Sequence, residues 1–355
     1  MLVRRRSGTE ADGEKRGSDD CSQGHLTVSY QDLVQRTDVN RRTFLQTSAA
    51  AGVAAAALNA DMKIPIIDCH IHLFDVNRKQ GVPWPAKTDT VLYKTALPER
   101  LKKIAQPLGI VGAIEVEASP WFDDNQWVLD IVAKEKFLVG HIGNLEPEKP
   151  EFRAQLDRFH KNPYFRGIRY GNLWDRNFTA MIGKPEFIAG LKALADADLV
   201  MDSANPNPQL IADLVRVSDK VPNLRIVLDH LPRMERPSDP MALRKYQADL
   251  AELGKRKQVF AKVSGVVKKI NGKPEENPAV YKATIDEMWA TFGEDRLLYG
   301  SDWPNSDQYA EYPVELKIVR SYFEAKGAEA ANKYFWKNSI AAYKWVHRDA
   351  AQPKL

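Results

Sequence analysis

Three clusters of residues in this chain have the types and spacing for chemistry on a small molecule. The first is Ile66-Ile67-Asp68-Cys69-His70-Ile71-His72. Alternate residues of a strand share a face, so His70 and His72 project together, with Asp68 one layer below. Two imidazoles on one strand end are half of a divalent-metal site. The second cluster, Tyr299-Gly300-Ser301-Asp302-Trp303-Pro304, carries Asp302, a carboxylate that could ligate a metal or take a proton from water. The third, Leu228-Asp229-His230-Leu231-Pro232-Arg233, offers His230 for acid–base work, and Arg233 and Arg236 as partners for a substrate carboxylate.

Each cluster also has a plain reading. An H-x-H pair arises by chance, Asp302 could cap a turn before Pro304, and a lone histidine is usually a satisfied structural residue. Glu115 and Glu117 read as sharing a face, where buried carboxylates need a metal, an arginine or a lysine beside them. Glu117 is therefore a candidate metal ligand, and pairing with Arg169 or Lys262 is the structural alternative. Tyr170, Asn144, Asp202 and Trp303 are further candidates for the same rim.

What decides between the readings is where the elements place these residues. β-rich runs at 64–72, 110–118, 138–145, 165–169, 199–202, 224–230, 259–264 and 297–301 alternate with helix-length amphipathic stretches. Helical patterns continue at 314–325 and 328–345. Eight strands, each followed by a helix, in about 300 residues predict a deformed (β/α)8 TIM barrel with extra C-terminal helices. A doubly wound open sheet is the alternative, but no G-x-G-x-x-G follows the first strand. In a barrel the strand ends converge on one face, and strand eight closes beside strand one. Asp302 then reaches the histidine pair, and the long loop 75–95 covers the site.

The barrel is expected to occupy residues 61–355. The first stretch of residues 1–60 is polar and cannot bury a core. It ends in Asn40-Arg41-Arg42-Thr43-Phe44-Leu45-Gln46 and an Ala-rich run to Leu58, which resembles a twin-arginine export signal with a cut near Ala60. The twin-arginine translocation machinery is the implied partner, and the periplasm or the exterior the destination. The long segment before the arginines points to a translation start nearer Val28 or Val39. Basic and acidic residues number 51 and 47, too balanced to indicate a nucleic-acid partner. No apolar run reaches the roughly 18 to 20 residues of a membrane span. Two cysteines, Cys21 and Cys69, cannot form a disulfide framework, and Cys69 is expected to be buried.

From Ile64 to Trp345 the chain resembles the amidohydrolase superfamily, in its amidohydrolase-related branch. It is similar there to the group that includes fuconolactonase, sulfomuconolactone hydrolase and pyrone-dicarboxylate lactonase. The matching pieces are Asp68-Cys69-His70-Ile71-His72, Gly167-Ile168-Arg169-Tyr170, Leu228-Asp229-His230-Leu231, Lys262-Val263-Ser264-Gly265 and Tyr299-Gly300-Ser301-Asp302-Trp303-Pro304. The resemblance implies hydrolysis of a small carboxylated or sugar-derived lactone. It implies one divalent metal, zinc, on His70, His72, Asp302 and Glu117, with a metal-free route as the alternative. Asp302 and His230 would be catalytic, and Arg169, Tyr170, Arg233, Lys262 and Trp303 would hold the substrate. No lysine sits in strand four, so a bridged two-metal site is not expected. Strand five lacks the histidine ligand of much of the superfamily, which weighs against a decarboxylase of the same superfamily. A barrel that only binds a sugar acid or lactone is the non-enzymatic rival, disfavoured by the gathered His70, His72, His230 and Asp302.

The export reading has its own test. Replacing both Arg41→Lys and Arg42→Lys is expected to leave the folded protein in the cytoplasm on fractionation. Unchanged export would overturn the assignment.

Overall fold

The computed structural model describes residues 64–354, so the segment read as an export signal lies outside the described residues. Eight strands form one parallel sheet in chain order: β1 (Ile66–Ile71), β2 (Ile110–Val116), β3 (Leu138–Gly143), β4 (Phe165–Gly171), β5 (Val200–Ala204), β6 (Arg225–Leu228), β7 (Val259–Val263) and β8 (Leu297–Tyr299). The main helices between and after them are α1 (Pro98–Ala105), α2 (Phe122–Lys134), α3 (Phe152–Phe159), α4 (Pro185–Asp196), α5 (Pro208–Lys220), α6 (Pro240–Gly254), α7 (Lys282–Phe292) and α8 (Tyr312–Ala325). This is the expected barrel. Proline stands in the first turn of α1, α4, α5, α6 and α8, where its fixed φ and missing N–H cost nothing.

Two apolar clusters hold it together. The larger lies between strands and helices, with Ile66, Ile168, Leu191, Leu214 and Phe323 fully buried. The smaller joins Ile67, Cys69, Ile114, Val116, Val200, Val227 and Leu298 to Tyr343 and Trp345 from the C-terminal segment. Cys69 is buried as expected. The single helix read at 328–345 is interrupted. Ala328–Asn332 and Asn338–Tyr343 are helical, and a wider π turn at Lys333–Lys337 separates them.

The barrel closes without a regular β8–β1 ladder. Instead Asp302 N–H donates to His70 O (2.8 Å) and His72 N–H donates to Trp303 O (2.7 Å). Asp68 Oδ1 accepts from Ser301 N–H (2.9 Å) and Asp68 Oδ2 from Tyr312 Oη (2.8 Å) on α8. Asp68 therefore serves the seam and does not stand beneath the histidines. The pairing of β1 with β2 shifts register between Asp68 and Ile71, so simple alternation fails there. Gly300 is required at this seam, because a Cβ there would lie 2.8 Å from the Cβ of His70. Gly300→Ala is expected to lower stability by about 1–3 kcal/mol in urea unfolding, through overpacking against His70. An unchanged midpoint would show that the seam yields without cost.

Candidate active site

The C-terminal rim carries a cavity of about 640 Å³, open to solvent. His72, Glu117, Arg169, His230, Arg233 and Asp302 line it, with Trp84, Trp174, Asn205 and Asn305. The three sequence clusters meet here. His72 Nε2 lies 3.2 Å from Asp302 Oδ1 and 3.3 Å from His70 Nε2. His70 Nε2 is 3.7 Å and His230 Nε2 3.5 Å from the same carboxylate oxygen. His230 and Asp302 both have positive φ, 49° and 59°. Backbone of this kind is costly for a side chain with a Cβ, and it aims both groups into the cavity from the ends of their strands.

The electrostatics follow from burial and a few charges. Burial pushes the Asp302 carboxyl up, but its neighbours His230 and Arg233 outweigh it and hold Asp302 well below the usual range. Arg233 supplies an ion pair at 2.8 Å. Burial drives His70 well below its ordinary value, helped by the Lys262 ammonium. His230 falls to about 4, mainly through burial, with Asp302 and Asp229 resisting and the two arginines adding to it. At neutral pH the rim thus offers a carboxylate beside the neutral imidazoles of His70 and His230.

His70, His72 and Asp302 can each bring one donor atom within 4.8 Å of the others. This set suits a divalent ion: His72 Nδ1–H donates to Val116 O (2.8 Å), so its Nε2 lone pair faces the Asp302 carboxylate. Glu117 stands outside the set. Its carboxylate accepts from Trp174 Nε1 (3.0 Å) and lies 3.9 Å from Arg169, and burial pushes it up to about 7 against the pull of Arg169. Glu115 has parted from it and pairs with buried His141.

Three expected substrate contacts are corrected. Tyr170 follows Arg169 on β4, so the two side chains take opposite faces. Arg169 enters the cavity, whereas Tyr170 packs on Phe178 and Phe187 and donates to Glu148 (2.9 Å). Trp303 likewise follows Asp302 and is wholly buried, its ring covered by Arg100. Lys262 is wholly buried below the rim, where its ammonium is held by Asp202 (2.6 Å) and Asp229 (3.0 Å). Arg236 pairs with Glu287 outside this cavity. Asn144 binds Ser119 O and Arg176, also away from it.

Sequence reasoning missed Trp84, Trp174, Asn205 and Asn305. Trp84 lies in the 75–95 loop that was expected to cover the site, so its place was indicated in part. Trp174 had no signal: it and Asp175 adopt positive φ in the β4–α4 connection, and its indole is fixed by Glu117.

A parallel barrel with paired histidines at the end of its first strand and a carboxylate after its eighth places the chain among barrel enzymes that act through a rim of acid–base and metal-ligating groups. Residues 67–345 match the amidohydrolase family, and the chain belongs to that family. Among curated relatives, L-fucono-1,5-lactonase of Burkholderia ambifaria is 28% identical over 246 residues, covering 68% of this chain and 80% of the relative. L-fucono-1,5-lactonase of Burkholderia multivorans is 24% identical, covering 78% and 94%. A solved amidohydrolase from Burkholderia multivorans with bound zinc superposes with a TM-score of 0.69 at 22% identity, over 79% of this chain and all of the other.

The buried imidazole of His230 gives a direct check. Its NMR titration is expected near pH 4 and not at the ordinary 6.5. Because the unfolded chain binds that proton more tightly, His230 should also cost stability as pH falls from 6.5 toward 4. A midpoint near the ordinary value would mean that the ring is solvated or paired as a cation.

Proposed function

We propose that this enzyme hydrolyses a small sugar-derived lactone by attack of an activated water. The observation that carries this reading is the pairing of both cavity arginines. Arg169 Nε donates to Asp229 (3.0 Å) and Arg233 to Asp302 (2.8 Å), so neither is a free cation waiting for a carboxylate. The rest of the wall is suited to hydroxyl-rich ligands: Asn205 offers its amide oxygen, and Trp84 and Trp174 offer indole surface. A neutral sugar lactone fits this balance better than a dicarboxylate. The two lactonase relatives support the same class.

His70, His72 and Asp302 would hold one divalent metal, and the zinc of the Burkholderia multivorans structure supports zinc. Such an ion lowers the pKa of bound water and polarises a carbonyl. The chain's own groups have separate tasks. Asp302 is ionised and accepts the proton of the attacking water as the new C–O bond forms. The Ser264 hydroxyl can donate to His230 Nδ1 (2.8 Å), which leaves His230 Nε2–H facing the cavity. A neutral N–H there stabilises the carbonyl oxygen as it gains charge. The ring C–O bond then breaks, and the alkoxide recovers its proton from Asp302. The low pKa direction of His230 favours this hydrogen-bonding part over proton donation by an imidazolium. Export through the twin-arginine route, read from Arg41 and Arg42, completes the proposal and would place the reaction outside the cytoplasm.

Asp302→Asn is nearly isosteric and removes the proton acceptor. On a panel of aldono-1,4- and 1,5-lactones followed with a pH indicator, kcat is expected to fall at least about 100-fold. Full activity of that variant would overturn the mechanism. Failure of the wild type on every lactone, with carbon dioxide lost from an aromatic acid instead, would move the chain to decarboxylation.

A further inference from the structure

Beneath the rim lies a group of charged side chains that the proposed reaction does not use. Lys262 Nζ donates to Asp202 Oδ2 (2.6 Å) and lies 2.9 Å from His70 Nδ1. Tyr343 Oη donates to the same Asp202 oxygen (3.0 Å). Asp229 Oδ1 is 3.0 Å from the ammonium but makes no aligned hydrogen bond. All of these side chains are wholly buried.

An ammonium has only donors, so the hydrogen between Lys262 and His70 belongs to Lys262. His70 accepts it at Nδ1, and its own proton then stands on Nε2, facing His72 Nε2 at 3.3 Å. His72 is complementary, since its Nδ1–H goes to Val116 O and its Nε2 keeps a lone pair. The relay from Lys262 through His70 to His72 is therefore satisfied with no cation. A metal on His70, His72 and Asp302 needs the lone pairs of both Nε2 atoms. The His70 proton must then move to Nδ1, where it requires an acceptor. Asp229 Oδ1 lies 3.4 Å from that nitrogen and is otherwise without a hydrogen bond.

We propose that Lys262 and Asp229 compete for His70 Nδ1, Lys262 selecting the tautomer that closes the metal site and Asp229 the one that opens it. The inference rests on the metal site assigned above. In the exchange an N–H bond at Nε2 breaks and one at Nδ1 forms, with water carrying the proton. The ring stays neutral, and Lys262 keeps its contact with Asp202. Asp229 is thus a positioning residue, acting on the metal through His70.

The test uses the full chain labelled with ¹⁵N-histidine, whose seven imidazoles form a small set in long-range proton–nitrogen spectra. His70, assigned through loss of its signals in His70→Gln, is expected as Nε2–H without metal and as Nδ1–H after one equivalent of zinc. In competition dialysis, Asp229→Asn is expected to weaken zinc binding by roughly 10- to 100-fold. An Nδ1–H tautomer already present in the metal-free protein would overturn the proposal and leave the metal site standing, and so would unchanged zinc affinity in Asp229→Asn. No zinc uptake by the wild type would remove the metal site itself, and the proposal with it. The wild-type spectra decide the matter even if Asp229→Asn does not fold.

Discussion

Closure of the barrel at the β8–β1 seam is the constraint on which the rest depends. A parallel barrel must bring its last strand to its first, yet β8 has only three residues. The joint is made by two backbone bonds, Asp302 N–H to His70 O and His72 N–H to Trp303 O, and by the Asp68 carboxylate on Ser301 N–H. The residues that close the barrel are thus those that carry the donor atoms, or their immediate neighbours. Folding the seam and assembling the site are one event. This also accounts for the positive φ of Asp302, a conformation costing of order 1–3 kcal/mol. It persists because bonds on both sides of the residue leave it no alternative.

The second constraint is charge. Asp202, Asp229 and Asp302 are all buried, and each has its own cation: Lys262, Arg169 and Arg233. An unpaired buried charge costs several kcal/mol, so this matching is what allows three carboxylates to stay ionised inside a barrel. It also sets the chemistry. The cations favour the charged carboxylates, and burial, helped by the same cations, disfavours charged imidazoles, so Asp302 stays ionised while His70 and His230 remain neutral. Glu117 has a distant arginine, an indole N–H and the Ser119 N–H, and burial lifts it to about 7.

Much of this was legible in the residue order. The alternation of apolar runs indicated the barrel, and the barrel alone explains why His70, His72, His230 and Asp302, far apart in sequence, share a rim. Two of the departures, Tyr170 and Trp303, share a cause. Motif matching treats adjacent residues as a unit, but on a strand adjacent residues face opposite ways. That separated Tyr170 from Arg169, and a similar turn of the chain separated Trp303 from Asp302. Lys262 failed for depth: it points inward on β7, yet a layer below the cavity floor, where Asp202 and Asp229 take its charge. Trp174 was hidden because its position depends on two consecutive left-handed residues in a loop, for which neither Trp nor Asp is a strong signal.

The C-terminal segment belongs to the same argument. The buried charges beneath the cavity, Lys262, Asp202 and Asp229, need to be shielded from below, because water entering there would screen the pairs and weaken the contrast between ionised carboxylate and neutral imidazole. Tyr343 and Trp345 pack against Ile67, Cys69 and Leu298 inside the smaller apolar cluster. Arg166 and Arg225, on strands β4 and β6 to either side of β5, hold the segment by its Tyr343 and Ala342 carbonyls. Tyr343 then reaches upward to Asp202, the anchor of Lys262, which in turn touches His70. The helices beyond the eighth strand are therefore coupled to His70 through three buried hydrogen bonds. Their place at the base of the barrel is part of how the rim keeps its protonation states.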